Sequence, residues 1–395
     1  MTTMKPTTLF LSFLSISLAY AFPSFDQIQP KTPALPTLLA PRRIDVSGKH
    51  AFVPPSADDM RGPCPAMNAL ANHNYLPHSG YITVEEGTTI PNLVWGFGVD
   101  FTELAILLAQ VYGSGDGVHF SIGGPPPPSL VPASLFDGQG LSGTHNTFEA
   151  DSSPTRGDYY AFNGNNHDLQ KPFFKSLLAA NNNSNGLISG GIIDHRIERY
   201  DNSVATNPYF FFGPDSMVIS TLTHLFVTNV LPNFDPAHPD GYLSDEDLYT
   251  LYGFSIDNDG NLQYNTGHER IPEGWYRRPV DYTHVQAASQ IIALGKAAQR
   301  TLTPGGNMGE VNSFTPMDMA KLTDGAYTDK TLFEGNNTIC FCFQVLQLAM
   351  PSQVLASAAF VAGGDTDLLQ KWGCPQMKKL NEEMYNKYPG YKKRY

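Results

Sequence analysis

One cysteine stands between two prolines in the run Arg61-Gly62-Pro63-Cys64-Pro65-Ala66-Met67-Asn68-Ala69-Leu70-Ala71-Asn72-His73. The apolar positions that follow, Met67, Leu70 and Ala71, recur at helical spacing, which predicts a helix with Cys64 at or just before its first turn. Unpaired amide N–H groups and the positive end of the dipole favour an ionised sulfur there, and they temper its charge when it binds a metal. Taken alone, a lone cysteine is equally readable as half of a disulfide or as a buried thiol. A second candidate is Glu149-Ala150-Asp151-Ser152-Ser153. Two carboxylates one residue apart, followed by hydroxyls, form hard oxygen ligands at a spacing that one small cation can use. The same residues also suit an Asx-type turn opening a helix, with Asp151 or Ser152 as its cap.

Helical signals dominate the chain that must position these groups. Thr83 with Glu86, Asp100 with Glu103, Ser244 before Asp245-Glu246-Asp247, and Thr283 with Gln286 are capping patterns, the last two ahead of a Leu248, Leu251, Tyr252 stripe and a long segment Val285 to Ala298. A further helix is expected over Val218 to Val227. Strand signals are few and short and no internal repeat is found. The fold class expected is mainly α: a single large helical domain with long loops and at most a small hairpin.

The first residues read as an address. Lys5, an apolar run from Leu9 to Leu18 and the small-x-small site Ala19-Tyr20-Ala21 predict a secretory signal peptide over 1–21, with the mature chain beginning near Phe22. The apolar run is too short to span a bilayer and no later stretch qualifies, so the expectation is a secreted protein with no stable membrane association. A net charge of -12 excludes a phosphate-binding face of the kind nucleic acid requires. Residues 22–57 read as a Pro-rich extended leader, and Gly123-Gly124 followed by four prolines as a polyproline II spacer. Only four cysteines occur. In an exported chain a disulfide from Cys374 to Cys340 or Cys342 is expected, leaving Cys64 as the outlier. Asn182-Asn183-Ser184 and Asn336-Asn337-Thr338 are glycosylation sequons.

The loop Pro63-Cys64-Pro65, with Asn68 to His73 and on through Tyr75, Leu76, Pro77 and Gly80, resembles the proximal loop of the fungal haem-thiolate peroxidases, the chloroperoxidase and unspecific peroxygenase family. Glu149 to Arg156 is similar to that family's second signature. Further matches run through Asn163 to Asp168 and Arg196 to Pro208, so the resemblance covers roughly residues 58 to 210 and thins afterwards. It implies a haem-peroxidase domain over 58–300 with a C-terminal extension over 301–395. It also implies haem b on the Cys64 thiolate, Phe148 on the haem channel, and a magnesium or manganese ion beside a haem propionate on the Glu149 carboxylate, the Ala150 carbonyl and the Ser153 hydroxyl.

What the resemblance implies in function is peroxide-driven oxidation or oxygenation of a small organic substrate, aromatic or a secondary metabolite, by a thiolate that pushes electron density toward O–O cleavage. That chemistry needs a distal acid-base group. The family places an Arg and a Glu downstream of the Asn-Pro pair, or a His inside the acidic triplet. Here Ala150 removes the histidine, and counting on from Asn207-Pro208 puts Ser216 and Thr223 where the Arg and Glu stand. His224, beside Thr223, is the residue assigned the acid-base role, since an imidazole titrates near neutrality. The competing expectation is a haem-binding secreted protein that lost the distal pair and turns over weakly. His73 is expected to make a structural hydrogen bond, and His195 and His284 to be partly exposed.

Overall fold

The computed structural model describes residues 41–392 apart from 100, 104, 107, 108, 110–117, 131–138, 183–189 and 350–371. The signal-peptide residues and the cap at Asp100 lie outside the described residues.

The leader is described only from residue 41, where a two-residue strand precedes a 3-10 turn at Gly48–His50. β1 (Arg42–Arg43) pairs antiparallel with β7 (Tyr276–Arg277), and Val53 N–H donates to Asn72 O at 2.9 Å. His50 stacks on Tyr75 at 3.7 Å between centroids while the His50 carbonyl meets His73 Nδ1 at 2.7 Å. The other His73 ring nitrogen accepts from Ile271 N–H at 3.1 Å, so this histidine is structural, as its place in the helix suggested. α1 (Pro65–Asn72) starts at the proline after Cys64 and buries every residue from Ala66 to Asn72. β2 (Tyr81–Thr83) pairs with β3 (His119–Ser121), and α2 (Val84–Trp95) opens on the Thr83/Glu86 capping box and stops at Gly96, whose φ of 75° suits glycine.

α3 (Lys171–Asn181) and α4 (Ile192–Thr206) lead through β4 (Phe211–Phe212) into α5 (Pro214–Asn229). α6 (Asp245–Leu251) carries the Ser244/Asp247 capping box and is followed by the hairpin β5 (Phe254–Ile256) and β6 (Leu262–Tyr264). α7 (His284–Ala297) opens on the Thr283/Gln286 box. β8 (Gly305–Gly306) joins β4 and β9 (Thr315–Pro316), after which come α8 (Met319–Leu322), α9 (Asn337–Ala349) and α10 (Pro389–Lys392). The fold is mainly α with short two- and three-stranded ribbons.

Two hydrophobic cores result. The first gathers α1, α2, α3 and α6 with Trp95 edge-on to Trp275 at 4.9 Å. The second gathers Tyr200, Phe210, Phe211 and Phe212 with one side of α5, the inner face of α7, and α9. α5 serves both, sending Val227 to the first and Met217, Val218 and Leu225 to the second. Burial on two sides blurs its amphipathic pattern. The disulfide joins Cys340 to Cys374, with Cα atoms 5.6 Å apart, and Cys342 stays a buried free thiol. Residues two apart on a helix point about 200° apart, so only one of the pair faces Cys374. No helix among the described residues is long and apolar enough to cross a membrane.

Candidate active site

Cys64 is the N-cap of α1, in extended backbone at φ -86°, ψ 106°. The approach to it is fixed by contacts only a glycine permits, since a Cβ on Gly62 would collide with the Ile122 carbonyl. Asn68 braces the loop from the helix, accepting from Gly62 N–H at 3.0 Å and donating to Gly62 O at 2.9 Å. Arg156 Nε donates to Pro63 O at 3.0 Å. Burial pushes the Cys64 thiol up, the amides of Met67 and Ala66 pull it down, and Glu149 and Arg156 act on it with opposite signs.

The sulfur opens on a cavity of about 250 Å³ whose wall is mostly apolar. Phe97, Phe101 and Phe226 pack edge-to-face along one side of it, with Val227 and Val230 beside them. Phe148, Glu149 and Ser153 lie on the same wall as Cys64, which brings together four of the residues singled out from sequence. Ala150 is buried but is not on the wall. Burial pushes Glu149 up to about 7, against a Ser153 hydrogen bond and the Arg156 charge, and its Oε1 has no partner in the protein. Among the described residues no group of three or more His, Cys, Asp or Glu is arranged to hold a metal. A cation here therefore has one protein carboxylate and neutral oxygens, and needs a further anion from whatever fills the cavity.

The signature loop is clamped from behind. Ser152 adopts φ 66° and donates its N–H to Asp158 Oδ1 at 2.9 Å. Asp151 Oδ2 meets His145 Nε2 at 3.0 Å, and Asp158 accepts from Asn207 and Ser203, each at 3.0 Å. Burial and the neighbouring Asp151 push Asp158 up to about 6. From α4, Arg199 Nε donates to Ser153 O at 2.8 Å and His195 Nε2 donates to Pro154 O at 3.0 Å, while α5 adds Ser220 Oγ to Ser152 O at 3.2 Å. His195, expected to be partly exposed, is 1% exposed and spent on this clamp.

His224 is not on the cavity wall. Thr223 is, and the next residue is turned by about 100° around α5. His224 lies instead against Arg196 and a smaller cavity on the far side of the helix. The acid-base assignment from sequence is corrected accordingly, and Ser216 is buried away from the wall as well. α5 thus offers the cavity only the Thr223 hydroxyl among polar groups, and that hydroxyl donates to Ser220 O at 3.0 Å.

Sequence reasoning missed three residues. Arg156 lies on the wall with Nη1 unpartnered, its Nη2 3.4 Å from buried Glu269. It stands inside the quoted signature, so the signal was present. Tyr252 lines the cavity near Cys64 and Glu149, its hydroxyl pushed up by burial. Tyr252, at the end of the Leu248, Leu251, Tyr252 stripe, and Glu269 come from about a hundred residues downstream, where no local pattern marks them for this site.

This arrangement fits a flat apolar cofactor with acidic edge groups. An apolar slot faces a free thiol, and two buried polar atoms on its wall, Glu149 Oε1 and Arg156 Nη1, have no protein partner. Comparison with known proteins gives the class. The model of peroxidase family 2 matches residues 50–280, and the chain belongs to that family. It is 35% identical to the dothistromin biosynthesis peroxidase dotB of Dothistroma septosporum, over 95% of each chain. It is 31% identical to the aromatic peroxidase fscJ of Fusarium equiseti, over 88% of this chain and 85% of that one, and 28% identical to the aromatic peroxygenase of Cyclocybe aegerita, over 74% and 73%. The protein is a peroxide-dependent oxidoreductase acting on organic substrates, and its family implies a haem-thiolate cofactor.

Proposed function

We propose that the protein is a secreted haem-thiolate peroxygenase or peroxidase for small aromatic or secondary-metabolite substrates, with Cys64 as the haem ligand. The observation that carries this reading is the free Cys64 at a helix N-terminus, opening on the apolar cavity that also holds Glu149 and Arg156. Haem bound there supplies peroxide activation, with the thiolate favouring O–O cleavage. The protein's own part follows from its residues. The Ala66 and Met67 amides hold negative charge on sulfur. Glu149 and Ser153 would hold a magnesium or manganese ion, with the Ala150 carbonyl, which is off the cavity wall, implied as a third ligand only by the family resemblance, and Arg156 Nη1 would take a carboxylate oxygen of the cofactor. Phe97, Phe101, Phe148 and Phe226 exclude water and seat a planar apolar substrate by edge and face contacts. Thr102 and Thr223 donate to the Thr88 and Ser220 carbonyls at 2.9 and 3.0 Å, which leaves their oxygens free to accept a hydrogen bond from a group in the cavity and so orient it. With no distal His or Glu from α5, the proton transfer of peroxide activation falls to water or the substrate, and these hydroxyls only orient it. Slow turnover relative to enzymes that carry the acidic pair is expected.

The relatives' names support an aromatic substrate: one acts in dothistromin biosynthesis, two are named for aromatic compounds. Secretion is supported by the 1–21 pattern and the Cys340–Cys374 disulfide, which an oxidising compartment maintains. N-terminal sequencing of protein from culture medium is expected to begin near Phe22, with sugar on Asn182 or Asn336. The decisive experiment is the spectrum of the reduced, carbon-monoxide-treated protein beside Cys64→Ala, with peroxide-driven phenol oxidation measured in parallel. A far red-shifted Soret band in the wild type that is lost in the variant supports the reading, and a haem band unchanged by Cys64→Ala overturns it.

A further inference from the structure

On the far side of α5, Arg196 is fully buried, and the four hydrogen bonds its guanidinium donates all go to neutral groups, which leaves one Nη1 hydrogen on the His224 side. Nε donates to Thr301 Oγ1 at 3.1 Å, Nη1 to Ser220 Oγ at 3.0 Å, and Nη2 to Thr221 Oγ1 at 2.9 Å and Thr301 O at 2.6 Å. No carboxylate among the described residues forms an ion pair with it, so a full positive charge is held inside the protein without a counter-charge. Such a charge is costly unless something offsets it. Beside it, His224 Nδ1 lies 2.8 Å from Ser220 O and 3.3 Å from Arg196 Nη1. The shorter contact makes Nδ1 the protonated nitrogen, so Nε2 is a bare lone pair, buried and with no partner.

Both residues line a cavity of about 150 Å³ between α4, α5 and α7. Ile192, Ile193, Leu225 and Leu294 make its apolar part. The amides of Asn229 and Gln290 on its wall are spent on each other, at 3.1 and 2.8 Å. What the cavity leaves unmet is thus one acceptor and one positive charge. A cation is repelled by Arg196. Water meets the acceptor and not the charge. A weak acid meets both, and the volume, about that of five waters, limits it to a few heavy atoms.

We propose that this cavity binds a short-chain monocarboxylic acid, which gives its O–H to His224 Nε2 and sets a negative charge beside the Arg196 guanidinium, its alkyl end against Ile192, Ile193 and Leu294. The proton goes from the carboxyl group toward Nε2, and no bond to carbon changes. The charged or titratable groups facing His224 are Arg196, His195 and Arg199, all from α4; α7 presents Gln290, Ala293 and Leu294, and α5 itself presents none. All three depress protonation of the free imidazole, as does its burial, so the acid must arrive together with its proton.

The test is calorimetric titration of the full-length, haem-loaded protein with sodium acetate and sodium propionate at pH 5.5, 6.5 and 7.5, in two buffers of different ionisation enthalpy, with the Soret band followed as the reporter of acid bound at the haem. The expected result is one site that takes up one proton, with apparent affinity rising about tenfold per unit fall in pH, and a Soret band that does not move. Ala293→Leu, an exposed rim position that carries no polar group, is expected to weaken propionate at least tenfold with the protein folded, and His224→Leu to abolish the proton uptake. No binding at pH 5.5, binding that tracks a Soret shift, or binding that is indifferent to Ala293→Leu overturns the proposal. None of these readouts uses peroxide turnover, so the reading of Cys64 stands or falls separately.

Discussion

The core around Cys64 and the core around Phe210 to Phe212 use the same apolar side chains and differ in what they leave open. The first closes around a hole of about 250 Å³ and carries unpartnered polar atoms on its wall. The second interlocks aromatic rings, with Tyr200 edge-on to both Phe210 and Phe212 at 5.5 Å, and is stapled by the disulfide. The wall of the first is left for a bound group to cover, and a group that binds only the folded protein stabilises it by mass action. The comparison teaches that the C-terminal core is held by its own side chains, whereas the core around Cys64 gains stability from a bound cofactor.

The largest expected effect is therefore loss of the cofactor. Removing haem, or substituting the proposed ligand by Cys64→Ala, is expected to lower stability by about 4 kcal/mol, the linkage value for a cofactor at about a thousand times its dissociation constant, read as a fall in denaturant midpoint; an unchanged midpoint in the stripped protein breaks the comparison. Next is Phe212→Ala in the packed core, expected to cost about 3–5 kcal/mol, against about 1 kcal/mol for Phe226→Ala, which only widens an existing cavity. Equal costs in urea melts would show the two cores to be alike. Converting both Cys340 and Cys374 to serine frees a link spanning 34 residues, and the chain-entropy relation gives about 4 kcal/mol. The midpoint should drop while the spectrum of the bound haem stays the same.

The most graded effect comes from pH. His195 donates Nε2–H to Pro154 O and receives Ser176 Oγ–H at Nδ1, 3.1 Å away, so its neutral form is fully satisfied and burial holds it down at about 4. The unfolded chain, with a value near 6.5, binds this proton first. Stability from His195 is complete above pH 6.5 and is lost as pH falls from 6.5 to about 4, by about 3 kcal/mol at most. Buried His224 acts in the same direction. Asp158, raised to about 6, acts in the other, adding stability as pH falls from 6 toward 3.8. Comparing wild type with His195→Gln isolates the histidine contribution: the variant should show a shallower decline of the melting midpoint between pH 6.5 and 4.

Much of this was legible in the chain. Cys64 at a helix start, the caps at Thr83, Ser244 and Thr283, the hairpin and the helix through His224 all follow from local rules, because a cap or a 3.6-residue period is decided within a few residues. The Cys64, Phe148, Glu149 and Ser153 constellation came from motif resemblance, and the structure brings those four to one wall. The side of α5 that faces the cavity was not legible. One residue of offset rotates a side chain by about 100°, and a helix buried on both faces gives no amphipathic stripe to fix its phase, which is why His224 was misassigned and Thr223 was the residue at the cavity. The roles of Tyr252 and Glu269 were illegible for another reason: they reach the site by long-range packing, and the stripe that includes Tyr252 does not say where it docks.

That doubly buried helix also divides the work of changing the enzyme. Thr223, Phe226 and Val227 face the cavity, while Met217, Val218 and Leu225 are locked into the second core. A combinatorial library confined to the first set resculpts that cavity on a fixed backbone, whereas one spread along the whole helix loses most of its members to misfolding.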